Sequence, residues 1–351
     1  MAPQGPDLHF VGADLASLAC DPVLADHRLP GRGAVTVLDL SGEQWLEQSP
    51  GHLPDGLLRS YAAVHYALDL WQQLEPRLAA WIELLQLQAM EPLLIPPLPG
   101  VDMLLRCLAL AQALERGSAL TVLLPAPAEA LALLELARTG PDLVETLLEP
   151  LLRWWDQTRQ SLVSLELVLR LRLPASTSLR LDAPWRARLE RMAELLAPQG
   201  PWQLSLALEC AEPEGRLLRQ RLGCAALRGF LPSRLGLHGP AAESLLAARP
   251  SWWPRELVGA ALGQAPDAAA LQAFLQAVEP ADHHRVDGAK GTWRLPMAGV
   301  CKTALDVRQI GSVLVLISGG HRRLLELPPA LQGRQCSGAR LEDGWLELRF
   351  A

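Results

Sequence analysis

The chain has 351 residues, half of them apolar, and a formal net charge of −6. That length and apolar content suit one or two domains with a sizeable core, not a disordered polypeptide. The acidic balance offers no basic field for nucleic acid, and no run of 18 or more apolar residues provides a membrane span.

The first residues, MAPQGPDLHF, lack the basic start and apolar centre of a signal peptide, so a cytoplasmic protein is expected. Six cysteines (Cys20, Cys107, Cys210, Cys224, Cys301, Cys336) are scattered without a CxxC pair, which points to reduced thiols and no structural zinc. Lysine occurs only at Lys290 and Lys302, so the first 289 residues offer none for chemistry.

In chain order, Leu8 to Val11 reads as a possible first strand and Ala34 to Leu40 as a firmer one. Tyr61 to Leu87 gives one or two amphipathic helices, interrupted near Pro76, and Pro92 to Gly100 a rigid loop. The stretch Pro97 to Leu136 organises the rest: loop, buried helix, buried strand Leu120–Leu124, Pro-rich loop, second helix. Asp102 suits the dipole at the first helix's start, and Gly117 stops it. In a parallel α/β protein, chemistry sits in the loop leaving such a strand. Here that loop, Pro125-Ala126-Pro127-Ala128, has no acid, hydroxyl or base before Glu129.

Pro141 to Leu173 reads as long helical structure and Pro184 to Leu196 as another helix. Gln203 to Leu208 is a strand, Glu212 to Leu222 a helix and Ala225 to Leu231 a further strand; helices then alternate with Pro/Gly breaks to about Pro280. Asp282-His283-His284 could ligate a metal only with partners from elsewhere and reads as a solvated linker; beyond it, strand and turn signals crowd together. Ser312–Ile317 and Arg322–Leu327 form a hairpin about Ser318-Gly319-Gly320. Glu342-Asp343-Gly344 is a second turn, and Leu346, Leu348 and Phe350 alternate in a half-buried strand. The last 60 or so residues are expected to form a small antiparallel β-sandwich.

Those residues also carry the most specific resemblance. Gly320, His321, Arg322, Arg323, Leu327, Pro328, Ala339, Arg340, Asp343, Gly344 and Phe350 fall on the pattern of the α-crystallin-like, small heat-shock-like domain that closes many ArsA-like ATPases. That family includes the arsenite-pump ATPase and the tail-anchored-protein targeting ATPase. The larger part resembles the family more weakly, through PLPGVDMLLRCLALAQAL, through Ala126-Pro127 at the AP of the DTAPTG switch, through LLRWWD from Leu151 and through AEPEGRLLRQRL from Ala211.

The departures are extensive. The family's GKGGVGK(S/T) loop cradles phosphates and its lysine contacts them, but nothing before Lys290 provides that lysine. The strand-and-loop unit that should open the chain reads as deleted or reduced. Where the switch has its Asp, with Thr and Gly, this sequence offers Leu124, Pro125 and Ala128, and the adenine-side Asn-Arg pair becomes Ser233-Arg234.

Other features read more plainly as structure. Gly299-Val300-Cys301-Lys302-Thr303 echoes the end of a phosphate loop but lacks the strand-to-helix context. Cys107, Cys210 and Cys224 lie in apolar stretches, as buried thiols do, against a soft-metal or arsenite trio. The pairs Trp154-Trp155 and Trp252-Trp253, taken as helical, cannot each turn both indoles to one core, so one of each pair is a candidate partner surface.

The expected fold is α/β: a degenerate P-loop NTPase-like parallel sheet flanked by many helices (residues 1–285), then a β-sandwich (residues 286–351). The resemblance implies a pseudo-ATPase binding protein that holds an apolar client segment or pairs with an intact paralogous ATPase, as a homo- or heterodimer. No catalytic residue, metal or cofactor is expected; the switch loop Leu124, Pro125, Ala126, Pro127 is degenerate, and the partner-binding candidates are Trp154, Trp155, Trp252 and Trp253. The alternative is an ATP-dependent, magnesium-using anion-transporting or protein-targeting ATPase. Its phosphate site would be unusual, with Arg28 or Arg32 standing in for the lysine, or be completed by a partner; Arg replaces Lys poorly in so tight a loop.

Overall fold

The computed structural model describes residues 8–13, 36–42, 58–60, 63–84, 100–115, 119–162, 173–198, 200–254, 257–264, 268–276 and 284–351. Arg28, Arg32, Cys20, Asp282, His283 and the loop of Pro92 to Pro99 lie outside them. Contacts divide the chain into two compact units, one made of Met1–Ser60, Ser118–Ala132 and Pro198–Ala351, the other of Tyr61–Gly117 and Leu133–Ala197.

The first unit is built on seven parallel strands: β1 (Leu8–Ala13), β2 (Thr36–Asp39), β3 (Leu58–Ser60), β4 (Leu120–Leu123), β5 (Trp202–Glu209), β6 (Arg234–His238) and β7 (Val258–Ala261). Their order is β3-β2-β4-β1-β5-β6-β7. The possible first strand is therefore present and central: Leu8 to Val11 pairs with Leu120 to Leu123 on one side and with Trp202 to Ser205 on the other.

The register sorts the sheet chemically, because residues paired across parallel strands point to the same face. Leu8, Phe10, Leu38, Leu120, Val122, Trp202, Leu204, Leu206, Leu208, Leu235 and Leu237 share one face and are all buried. The other carries the sheet's buried polar groups: Asp39, Thr121, Ser205, Arg234 and His238. His9 Nε2 meets Ser205 Oγ there at 2.8 Å.

Eight α-helices are described: α1 (Ala63–Leu84), α2 (Val101–Leu114), α3 (Pro127–Leu143), α4 (Glu149–Ser161), α5 (Ala183–Leu195), α6 (Arg216–Arg228), α7 (Ala242–Ala248) and α8 (Ala268–Gln276). Two differ from expectation. The predicted break at Pro76 does not occur; Pro76 lies on an exposed side of α1, where water can take the carbonyl its missing N–H leaves free. The predicted strand Ala225–Leu231 is largely the end of α6, which stops at Gly229 in a left-handed conformation (φ 80°). A short apolar run reads alike as buried helix or strand. β7, VGAA, falls where only helices were expected.

In the second unit α3 and α4 are joined by a π-helical turn, Val144–Leu148. Two prolines frame it, Pro141 in α3 and Pro150 in the first turn of α4. Pro150 cannot donate to Thr146 O, so the ordinary i→i−4 ladder fails at that point, where a widened turn is tolerated. A polar knot ties α1 to α4. Trp81 donates to Ser178 Oγ (2.8 Å), Trp155 to Pro174 O (2.9 Å), and their rings lie 5.0 Å apart. Asp156 accepts from the Ser176 N–H and hydroxyl.

The C-terminal residues form two antiparallel sheets. One is β10 (Asp306–Ile310), β11 (Val313–Ser318) and β12 (His321–Glu326); the other is β13 (Cys336–Glu342), β14 (Trp345–Phe350), β9 (Thr292–Pro296) and β8 (Arg285–Asp287). Trp293, Leu295, Leu314, Leu316, Leu325, Leu346 and Leu348 form their buried core. Both expected turns are present, with Gly319 and Gly320 at positive φ between β11 and β12. Gln309 staples the sheets, donating to Arg334 O (2.9 Å) and accepting from Cys336 N (2.6 Å).

Candidate functional site

The carboxyl edge of a parallel sheet gathers the ends of its strands, and the point where connections leave in opposite directions opens a crevice there. In this sheet that point is β1, flanked by β4 and β5. Leu124 extends the ladder by donating to Val11 O (2.8 Å), Pro125 is buried, and α3 begins at Pro127. The predicted strand–loop–helix is thus in place, with Leu124, Pro125, Ala126 and Pro127 at the crevice. Proline has no N–H, so two of these four residues cannot donate to a phosphate, and the other side chains are apolar. These four residues therefore offer a phosphate or its magnesium no side-chain donor or acceptor.

Polar groups at the edge stand apart from one another. Asp39 ends β2, is 1% exposed, and accepts from the Ser41 N–H (2.9 Å) and hydroxyl (2.6 Å) through one oxygen. Its other oxygen is buried with no hydrogen-bond partner among the described residues, a costly arrangement for a carboxylate. The sequence reading passed over this acid, and a single Asp closing an apolar strand gave little signal. Glu209 and His238 end β5 and β6 as a paired register position, three and four strand spacings across the sheet from β2, or roughly 14 and 19 Å, and Asp39 itself is in register with Ser205, four residues before Glu209. Ser233 and Arg234 lie at the opposite, amino-terminal edge, so the residue at the carboxyl end of β6 is His238 and the adenine-side assignment to Ser233-Arg234 does not hold.

Beside Glu209, a shallow cleft is lined by Cys210, Glu212, Gly215 and Leu217. Burial, with help from Glu212, pushes the Cys210 thiol up, and its Sγ lies 3.7 Å from Glu212 O. A thiol so placed is a poor nucleophile. Cys107 is buried and raised to about 12, also by burial, while Cys224 is half-buried on α6. Among the described residues no group of three His, Cys, Asp or Glu is arranged to hold a metal.

The second unit has a different surface. Leu143, Leu147, Leu151 and Trp154 are 40%, 65%, 59% and 57% exposed along the α3–α4 rod. A spacing of four drifts about 40° per step around an α-helix. The π turn lies between Leu143 and Leu151 and takes up part of that drift, so the leucines run closer to a straight line. Leu152 turns inward and Trp155 is half-buried against Trp81, while its neighbour Trp154 faces out. Trp252 and Trp253 lie in a turn instead of a helix. Trp253 is buried and donates to Leu257 O (3.0 Å); Trp252 is half-buried, and its carbonyl accepts from Gly299 N (3.0 Å). Of the four tryptophans proposed for partner binding, Trp154 presents most of its ring.

No helix among the described residues is long and apolar enough to cross a membrane. Residues 288–350 match the family model of the HSP20-like domain found in ArsA. Over 319 residues the chain is 30% identical to an uncharacterised protein of Streptomyces coelicolor, covering 81% of this chain and 78% of that one.

Proposed function

For a chain that belongs to one family with the Streptomyces coelicolor protein, and whose C-terminus is an HSP20-like domain, we propose a binding role without nucleotide hydrolysis. In this reading the body is an ArsA-like scaffold whose switch loop has become Leu124-Pro125-Ala126-Pro127, and the protein holds an apolar protein segment, or an intact paralogous ATPase, on the α3–α4 rod. The observation that carries it is the line of Leu143, Leu147, Leu151 and Trp154. Exposed apolar side chains gathered in one line, rather than scattered singly, are the pattern of an interaction surface.

The test is binding of a fluorescent, helix-forming apolar peptide of about 20 residues. Leu147→Glu/Leu151→Glu is expected to weaken it at least tenfold, with thermal stability unchanged because both side chains face solvent. Undiminished binding by the double variant would sink this reading.

The buried Asp39, with its spare oxygen, favours a second reading, an ATPase whose phosphate site is unusual or completed by another chain. Calorimetric titration with Mg-ATP and Mg-ADP separates the two. The first reading expects no heat at millimolar nucleotide; saturable micromolar binding that Asp39→Asn abolishes would establish the second.

A further inference from the structure

The apolar line on α3–α4 has a companion one residue behind it. Asp142, Thr146, Pro150 and Arg153 directly precede Leu143, Leu147, Leu151 and Trp154, and all four are exposed. One residue turns a helix by about 100°, so this second row runs along one flank of the first. The other flank is closed: Val144, Leu148 and Trp155 are half-buried and Leu152 is buried. A partner that covers the leucines therefore meets the open flank as well.

That flank is polarised, with an acid at its start, a base at its end and the neutral Thr146 and Pro150 between. Neither charge makes an ion pair among the described residues. Asp142 accepts from the Thr146 hydroxyl through its carbonyl, not its carboxylate, and Arg153 reaches only the Glu149 carbonyl. The neighbouring charges are engaged or face elsewhere. Glu149 holds Arg186 at 2.8 Å, Ser176 donates to Asp156, and Arg159 donates to Leu173 O. Glu145, two residues from both Leu143 and Leu147, turns away from the line into a groove with Arg186 and Glu190.

Such a row complements itself when reversed. Two copies laid antiparallel share a two-fold axis across the rod, and each residue meets the one equally far from the centre. Leu147 of one copy then meets Leu151 of the other, and Leu143 meets Trp154. On the open flank the same operation brings Asp142 of each copy beside Arg153 of the other. A parallel arrangement puts the two open flanks on opposite sides and gives neither charge its partner. Charges beside an apolar seam set orientation in this way. The line is about 16 Å long, and the π turn keeps it near straight, so two copies can touch along all of it.

We propose that the free protein covers this line with a second copy of itself, packed antiparallel, and that an apolar client displaces that copy. The proposal rests on reading the α3–α4 line as a binding surface and names what occupies it when no client is present. Four apolar side chains and one ion pair per copy are a small interface beside the usual ~800 Å² a side, so the dimer is weak enough to yield.

The test is sedimentation velocity of the full chain from about 1 to about 200 µM, with no client added. The weight-average coefficient is expected to climb from the monomer value towards the dimer value. Asp142→Arg and Arg153→Asp are each expected to weaken the dimer at least fivefold, and the two together to restore it to within twofold. A merely structural role for either residue gives no such rescue. A monomer at every concentration overturns the proposal. So does a dimer that the single variants leave intact, since it uses another surface or a parallel arrangement. Peptide binding separates this proposal from the client reading. A monomer that binds the apolar peptide through Leu147 and Leu151 sinks the dimer and spares the client; a charge-dependent dimer that binds no peptide does the reverse.

Discussion

Gly299 and Gly140 make different demands on a side chain. Gly299 sits at positive φ with the Arg219 carbonyl where a Cβ would go, so Gly299→Ala is expected to cost at least about 2 kcal/mol, read from urea denaturation. Gly140 lies inside α3 with no atom beyond its chain neighbours near a Cβ, but Pro141 follows and disfavours a helical residue that carries a Cβ, so the helix gain is offset and Gly140→Ala is expected to change stability by less than about 0.5 kcal/mol. The thiols differ in the same way. Cys301 is exposed, and the Thr303 hydroxyl and N–H, the Ala304 N–H and Arg219 hold it below the usual thiol range. Among the described thiols it is expected to alkylate first with iodoacetamide, with Cys107 last, as timed mass spectrometry would show. None of these distinctions is written in the local sequence. GVCKT looks the same whether its cysteine is buried or bare, and Asp39 resembles any acid ending a strand until its neighbours are in place.

At the scale of the element, the knot around Asp156 responds to acid. The Ser176 hydroxyl and N–H, and then Arg180 and Arg159, hold the Asp156 carboxyl below its ordinary value of 3.8. A carboxylate lowered in the folded state contributes stability above the unfolded value, and that contribution is lost as pH falls through the folded one. Ser176→Ala is therefore expected to lower the thermal midpoint at pH 5, with the gap from wild type closing as pH falls towards 2, where Asp156 is protonated in both. Helices and strands with long clear patterns were legible: Leu120–Leu123, Trp202–Glu209 and both strands of the β11–β12 hairpin lie within a residue or two of their expected limits. Ala225–Leu231 was misread because its apolar residues pack as the buried side of α6, which no short window distinguishes from a strand. The π turn was invisible, since it arises where Pro150 removes a hydrogen bond from an otherwise ordinary helix.

For the whole molecule, local signals served the β-sandwich better than the sheet. Hairpin partners are neighbours in sequence, so turns and alternation betray them, whereas a parallel strand's partners lie far off and leave no nearby trace. β1 shows this most clearly: six residues whose place at the centre follows only from the pairing of Leu8 with Leu120 and Trp202. Phe10 is wholly buried there. Phe10→Ala is expected to cost about 3–5 kcal/mol and to lower the denaturation midpoint of the first unit. The carboxyl-edge crevice could be located from sequence through the Leu120 strand and its Pro-rich exit. The α3–α4 stripe could not, because four exposed apolar residues look like core until burial is known.

The seating of β1 also sets a timetable for synthesis. Its strand leaves the ribosome first among the seven, yet the two it must lie between follow more than a hundred and nearly two hundred residues later. At ordinary translation speeds of about 5–20 residues per second, Phe10 and its neighbours wait roughly 10–40 s for the second of them. Through that interval the nascent chain carries an unpaired apolar strand, and the slot between β4 and β5 exists only once both have emerged. Slowing elongation between codons 120 and 202 lengthens the exposure, and the yield of folded protein should fall with it.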